Sequence, residues 1–144
     1  MNSMDMDTRT GTKKEPRTAR PRAPRLPAQL RKAIAAAQDR KADALVVLDL
    51  RPAHGFTDFF LIGSGYNPRQ IKAIADAIQA SLGPDVKPAH VEGYDRAGWI
   101  LLDYFDFIVH VFSPETRAFY DLERLWGNAQ RIEIPDEEQP SSKK

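Results

Sequence analysis

The 144-residue chain contains no cysteine. That absence excludes disulfide stapling, zinc–thiolate sites and thiol catalysis. No apolar run approaches the roughly 20 residues a helix needs to cross a bilayer. The N-terminus lacks the apolar core of a secretory signal. Asp5, Asp7 and Glu15 argue against a transit peptide, which is rich in arginine and poor in acids. A cytoplasmic location and no membrane partner are therefore expected. Neither sign of charge dominates: 21 Lys+Arg stand against 20 Asp+Glu, a net of +1. That balance excludes a strongly basic nucleic-acid coat and a strongly acidic tail protein. No internal repeat is present. The three histidines, His54, His90 and His110, lack ligand spacing, so no metal is expected. A Gly-x-Ser-x-Gly elbow is also missing, which removes the usual serine-hydrolase signature.

What charge there is lies unevenly. Residues 1–26 hold seven Lys/Arg and three Asp/Glu, whereas residues 27–135 hold twelve and fourteen. The first 25 residues are polar, with Pro16, Pro21 and Pro24 among scattered cations. Such a segment buries too little apolar surface to offset its ordering entropy. Residues 1–25 are thus expected to be a disordered basic tail, 26–134 a single domain, and 135–144 a second disordered tail. Contact of the basic tail with RNA would be non-specific; a solvated linker is the simpler reading.

Within the domain, Leu30, Ala33, Ile34 and Ala37 recur with helical spacing, predicting a helix from Leu26-Pro27 to Arg40-Lys41. The apolar runs Ala44–Leu50 and Asp58–Gly63 predict strands buried on both faces. Asn67 and Pro68 open a second helix, with a stripe of Ile71, Ile74, Ala75, Ile78 and Leu82. Gly83 and Pro84 close it. Ala89–Glu92 reads as a weak strand. Trp99–Tyr104 and Phe107–Phe112 read as a hairpin turning at Phe105-Asp106. Ser113, Pro114 and Glu115 start a last helix, whose expected buried face is Phe119, Leu122, Leu125 and Trp126. Ile132–Ile134 is an edge-strand candidate. The order α-β-β-α-β-β-β-α implies a mixed β-sheet flanked by helices, an α/β fold.

Two constellations bear on function. Gly63-Ser64-Gly65, between a strand and a helix, is a corner that can hold a phosphate on backbone N–H groups. It also resembles the glycine-serine turn of nucleotidyltransferases. That chemistry needs carboxylates shortly downstream to hold magnesium, and no Asp-x-Asp follows. A tight turn built of small residues is the simpler reading. The second constellation is Trp99, Leu101 and Asp103, which share one face of a strand because side chains alternate. Asp106 lies just beyond. A Trp/Leu patch rimmed by acids has the make-up of a protein-binding hot spot against a basic partner.

Several segments together resemble the Iojap-related ribosomal silencing factors. They are Val47–Leu50, Thr57–Gly65, Arg69-Gln70 with Ile74–Asp76, Val91–Gly93, Trp99–Tyr104, Val109–Phe112 and Arg117–Trp126. Phe105 departs from the pattern, where the family usually has glycine. The resemblance implies a nucleotidyltransferase-like α/β fold without the catalytic carboxylates. It implies a translation repressor, not an enzyme, with no cofactor. Such a protein binds the fourteenth protein of the large ribosomal subunit, blocks joining of the small subunit and lowers synthesis when nutrients are scarce. Free members of the family are often homodimers. The partner-binding residues expected on this reading are Trp99, Leu101, Asp103, Asp106, Glu92, Arg117 and Tyr120. The alternative is an enzyme or nucleotide-binding protein of nucleotidyltransferase fold using Gly63-Ser64-Gly65.

Overall fold

A computed structural model describes residues 26–135. Of the two predicted tails, 1–25 and 135–144, all but Pro135 lie outside the described residues. The elements are α1 Ala28–Asp39, β1 Asp43–Asp49, β2 Phe59–Ser64, α2 Pro68–Leu82 and β3 His90–Glu92. They continue with β4 Trp99–Asp103, β5 Phe107–Phe112, α3 Pro114–Tyr120, α4 Leu122–Leu125 and β6 Gln130–Glu133. The six strands form one sheet in the order β3-β4-β5-β2-β1-β6. Only β2 and β5 run parallel; every other neighbouring pair is antiparallel. The expected mixed sheet is present, and β6 is the edge strand foreseen near Ile132.

Local chemistry places the helices. The Asn67 side chain accepts the backbone N–H of Gln70, Pro68 occupies the first turn, and Gly83 closes α2 at φ +81°. The stripe Ile71, Ile74, Ala75, Ile78 and Leu82 is buried. In α1 the buried set is Leu30, Ala33, Ile34 and Ala37. Both helices cover the same sheet face and form the larger core with Val47, Leu61, Ile100, Leu102, Val109 and Val111. Each such side chain removed from water contributes about 1.5–3 kcal/mol. Strands β2 and β5, central in the sheet, are buried along their whole length.

The opposite face carries a smaller core: Val46, Leu48, Leu50, Phe60, Ile62, Ile108 and Phe112. Leu122, Trp126 and Ala129 pack on it, with Trp99 and Leu101 at its edge. Here the sequence expectation needs correction. The last helix is not continuous. Ser113 caps it as expected, but Asp121 takes a left-handed conformation, φ 50°, and splits it into α3 and α4. The break redirects the chain, so the i, i+3, i+4 stripe does not carry across it. Phe119 and Leu125, expected in the buried face, point to solvent, while Leu122 and Trp126 pack inward.

Tyr104 is buried in the larger core, stacked on Phe107, and its hydroxyl has no hydrogen-bond partner among the described residues. Burial raises its pKa. Tyr104→Phe keeps the ring and removes the orphaned group. It is expected to raise the unfolding free energy by about 1 kcal/mol, measured by urea denaturation.

Candidate protein-docking face

Residues directly opposite in paired strands share a sheet face. Trp99 pairs with Phe112, Leu101 with His110, and Asp103 with Ile108. On the other side of β4, Leu101 pairs with Glu92 and Asp103 with His90. Four of the seven predicted partner-binding residues, Glu92, Trp99, Leu101 and Asp103, therefore lie on one face. It is the face that the short helices α3 and α4 cover only in part. Trp99, Leu101 and Asp103 are half-buried and Glu92 is exposed, while Ile100 and Leu102 point into the larger core.

Trp99 sits in a cluster of rings. Its ring centre lies 4.6 Å from that of Tyr120 and 4.9 Å from that of Phe112. Its indole N–H donates to His110 Nδ1 at 3.0 Å. His110 is buried on the central strand β5, edge-on to Phe60 at 4.5 Å between ring centres. Burial pushes its pKa down to about 3, so the imidazole is neutral. Because Nδ1 accepts, the proton resides on Nε2, which has no hydrogen-bond partner among the described residues. His110 fixes the tryptophan orientation at the cost of one unpaired buried donor.

The remaining candidates divide. Tyr120 is exposed and joins the patch through its contact with Trp99. Asp103 Oδ1 accepts the Phe105 N–H at 2.8 Å, so it fixes the β4–β5 turn as well as facing outward. Asp106 is exposed in that turn. The Glu92 carboxylate is hydrogen-bonded to the His90 imidazole. Arg117 lies at the far edge, on α3, and is committed inside the fold. Its guanidinium donates twice to Glu123, at 3.0 and 3.2 Å, and to Ser64 Oγ at 3.0 Å. Burial alone would raise the Glu123 pKa, but bonds and charge from Arg117 and Arg131 bring it below its ordinary value. The Arg117 and Glu123 side chains are 12% and 17% exposed, so the pair is only slightly wet. Arg117→Ala is expected to lower the unfolding free energy by about 2 kcal/mol, as read by chemical denaturation.

The glycine-serine corner is closed. A Cβ on Gly63 would come within 2.8 Å of Leu45, and one on Gly65 within 2.8 Å of Ile71. The Gly65 N–H donates to Phe112 O, that of Tyr66 to Gln70 Oε1, and that of Gln70 to the Asn67 cap. Ser64 is buried under Arg117. These small residues admit packing, and the Gly65, Tyr66 and Gln70 N–H groups are already engaged. Among the described residues no group of three or more acidic or histidine side chains could hold a metal ion.

The sequence matches the family described as "Ribosomal silencing factor during starvation" over residues 23–144. The chain belongs to that family. A ribosomal silencing factor of Halalkalibacterium halodurans is 39% identical over 108 residues, covering 73% of this chain and 91% of its own. A mouse protein named "Mitochondrial assembly of ribosomal large subunit protein 1" is 31% identical over 96 residues, 62% of this chain and 41% of its own. A crystal structure of a Chromobacterium violaceum protein superposes with a TM-score of 0.66 at 33% identity, covering 69% of this chain and 83% of that one. As a member of the silencing-factor family, the chain is similar to regulatory proteins rather than to known enzymes. Among its described residues no helix is long and apolar enough to cross a membrane.

Strand alternation places the Trp99 face but carries no sign of two of its neighbours. His110 is a diagonal neighbour of Trp99, two residues from its register partner Phe112, and its bond to the indole has no periodic signature. Phe56 sits in the β1–β2 connection and carries no periodic signal.

Proposed function

We propose that this silencing factor represses translation by binding the large ribosomal subunit and occupying space the small subunit needs. Its contact there is the subunit's fourteenth protein, and its effect is lower protein synthesis when nutrients are limiting. The observation that carries the reading is the β3–β4 face, where Trp99 and Leu101 stay half-exposed among Glu92, Asp103 and Asp106. Residues 27–135 carry two more acids than bases, whereas a protein seated on RNA must be basic. Acids around an apolar centre steer the encounter and set register, and the indole supplies buried area. The name of the mouse relative points to the same subunit.

The protein acts without catalysis on this reading. The engaged N–H groups and small-residue packing of the Gly63–Gly65 corner support that, and nucleotidyl transfer remains the contrary outcome to test. Sucrose-gradient sedimentation with purified subunits is the decisive measurement. The protein is expected to travel with the large subunit alone and to reduce the joined-ribosome peak. Travel with the small subunit, or with neither, refutes the reading. So does magnesium-dependent transfer from a nucleoside triphosphate that is lost in Asp58→Ala or Asp103→Ala.

A further inference from the structure

Phe105 is 79% exposed and its backbone has φ +76°. That left-handed conformation strains an L-residue, whereas glycine adopts it freely. A large apolar ring is thus held in water on a backbone that resists it. The fold nevertheless fixes the turn. The Phe105 N–H donates to Asp103 Oδ1, and the Thr57 hydroxyl donates to the Phe105 carbonyl at 2.6 Å. The Asp58 N–H donates to the Asp106 carbonyl at 3.2 Å. Backbone strain that the surroundings hold in place is a mark of functional positions.

Those ties join the β4–β5 turn to the β1–β2 connection, where Phe56 is 74% exposed. The Phe56 ring lies 6.1 Å from Phe60 and 6.3 Å from Trp126, both on the docking-face side of the sheet. Two exposed phenylalanines therefore stand at one end of the sheet, with Asp58, Asp103 and Asp106 around them. The neighbouring cation, Arg51, is held by both carboxylate oxygens of Asp49, at 3.0 and 2.9 Å.

We propose that Phe56 and Phe105 form a second anchor of the docking surface, one that takes a basic protein segment of the ribosomal partner. Cationic side chains pair with the three carboxylates and lie against ring faces, while the same carboxylates repel RNA phosphates. The proposal rests on the silencing reading above and extends its contact beyond Trp99.

The test uses the full chain and purified large subunits, with affinity and thermal unfolding measured on the same variants. Phe105→Gly relieves the backbone, so its melting temperature is expected to rise by about 4 °C. Its dissociation constant is expected to rise about tenfold. Phe56→Ser is expected to melt near the parent and to bind about tenfold more weakly. A variant that is more stable yet binds less well cannot owe its loss to unfolding. If both variants bind like the parent while Trp99→Ala does not, the second anchor is refuted and the Trp99 face stands. If the parent fails to bind the large subunit, the silencing reading falls and the anchor with it. Tight binding of the parent to deproteinised ribosomal RNA, weakened equally by Phe105→Gly, would overturn the protein partner.

Discussion

Trp99→Ala is expected to weaken association with the large subunit by at least about 2 kcal/mol, roughly 30-fold. The indole is the largest side chain that β4 presents on the partly covered face, and hot spots concentrate in such rings. The structure also predicts a second effect. Trp99 packs on Phe112 and Tyr120 and donates to His110, so truncation leaves a cavity and an unpaired acceptor. A stability loss of about 2 kcal/mol accompanies it. The two effects separate with Trp99→Phe, which keeps one packed aromatic ring and gives up the N–H and the second ring of the indole. That variant is expected to lose less stability than affinity. The charge rim gives an independent arm. Asp103→Asn preserves the acceptor for the Phe105 N–H and removes the charge, so it is expected to slow association and flatten its salt dependence. Asp103→Lys places like charges together and is expected to bind more weakly still. Folded Trp99→Phe and Asp103→Lys that bind at full strength and still block subunit joining would move the interface elsewhere. The exposed rings of α3 around Tyr120 would then be the next place to look.

Much of this architecture is legible in the sequence because local and tertiary preferences agree there. Asn67-Pro68 at one end of α2 and Gly83-Pro84 at the other bracket a clean stripe, and the helix forms between them. The apolar runs of β1, β2 and β5 have no polar face to offer, so they occupy the middle of the sheet. The C-terminal helix fails as a reading for a specific reason. Its apolar residues fit a single stripe, but Asp121 tolerates left-handed backbone and breaks the helix at its centre. The stripe then divides between core and solvent. The site is legible to the extent that alternation fixes it: Trp99, Leu101 and Asp103 share a face because β4 is a regular strand. Arg117 shows the limit. The sequence reading counts it among the partner-binding residues, whereas its bonds to Glu123 and Ser64 span from α3 to α4 and β2. Hydrogen bonds between elements distant in sequence have no periodic signature.

Acid is expected to weaken the fold in a window that belongs to His110. In the unfolded chain a histidine protonates near pH 6.5. In the folded protein burial holds His110 neutral down to about pH 3. Between those values the unfolded state binds one proton more, so stability falls as pH falls. The slope is about 1.4 kcal/mol per pH unit, or about 2 kcal/mol between pH 6.5 and pH 5. About a pH unit or more above 6.5 both states are neutral at this residue and the contribution is flat. The depressed carboxylates of Asp49 and Glu123 also lose stability in acid, but only near and below the ordinary carboxylate range of about pH 4. Urea denaturation at pH 7.5, 6.5, 5.5 and 5 isolates the histidine term. His110→Gln is expected to abolish the slope over that range whatever it does to absolute stability. An undiminished slope in the variant would assign the acid sensitivity to another group. The fluorescence of Trp99 in a Trp126→Phe background reports the same site directly. Its emission is expected to shift red in His110→Gln if the lost imidazole was what held the indole against Phe112 and Tyr120, because a released ring samples more water.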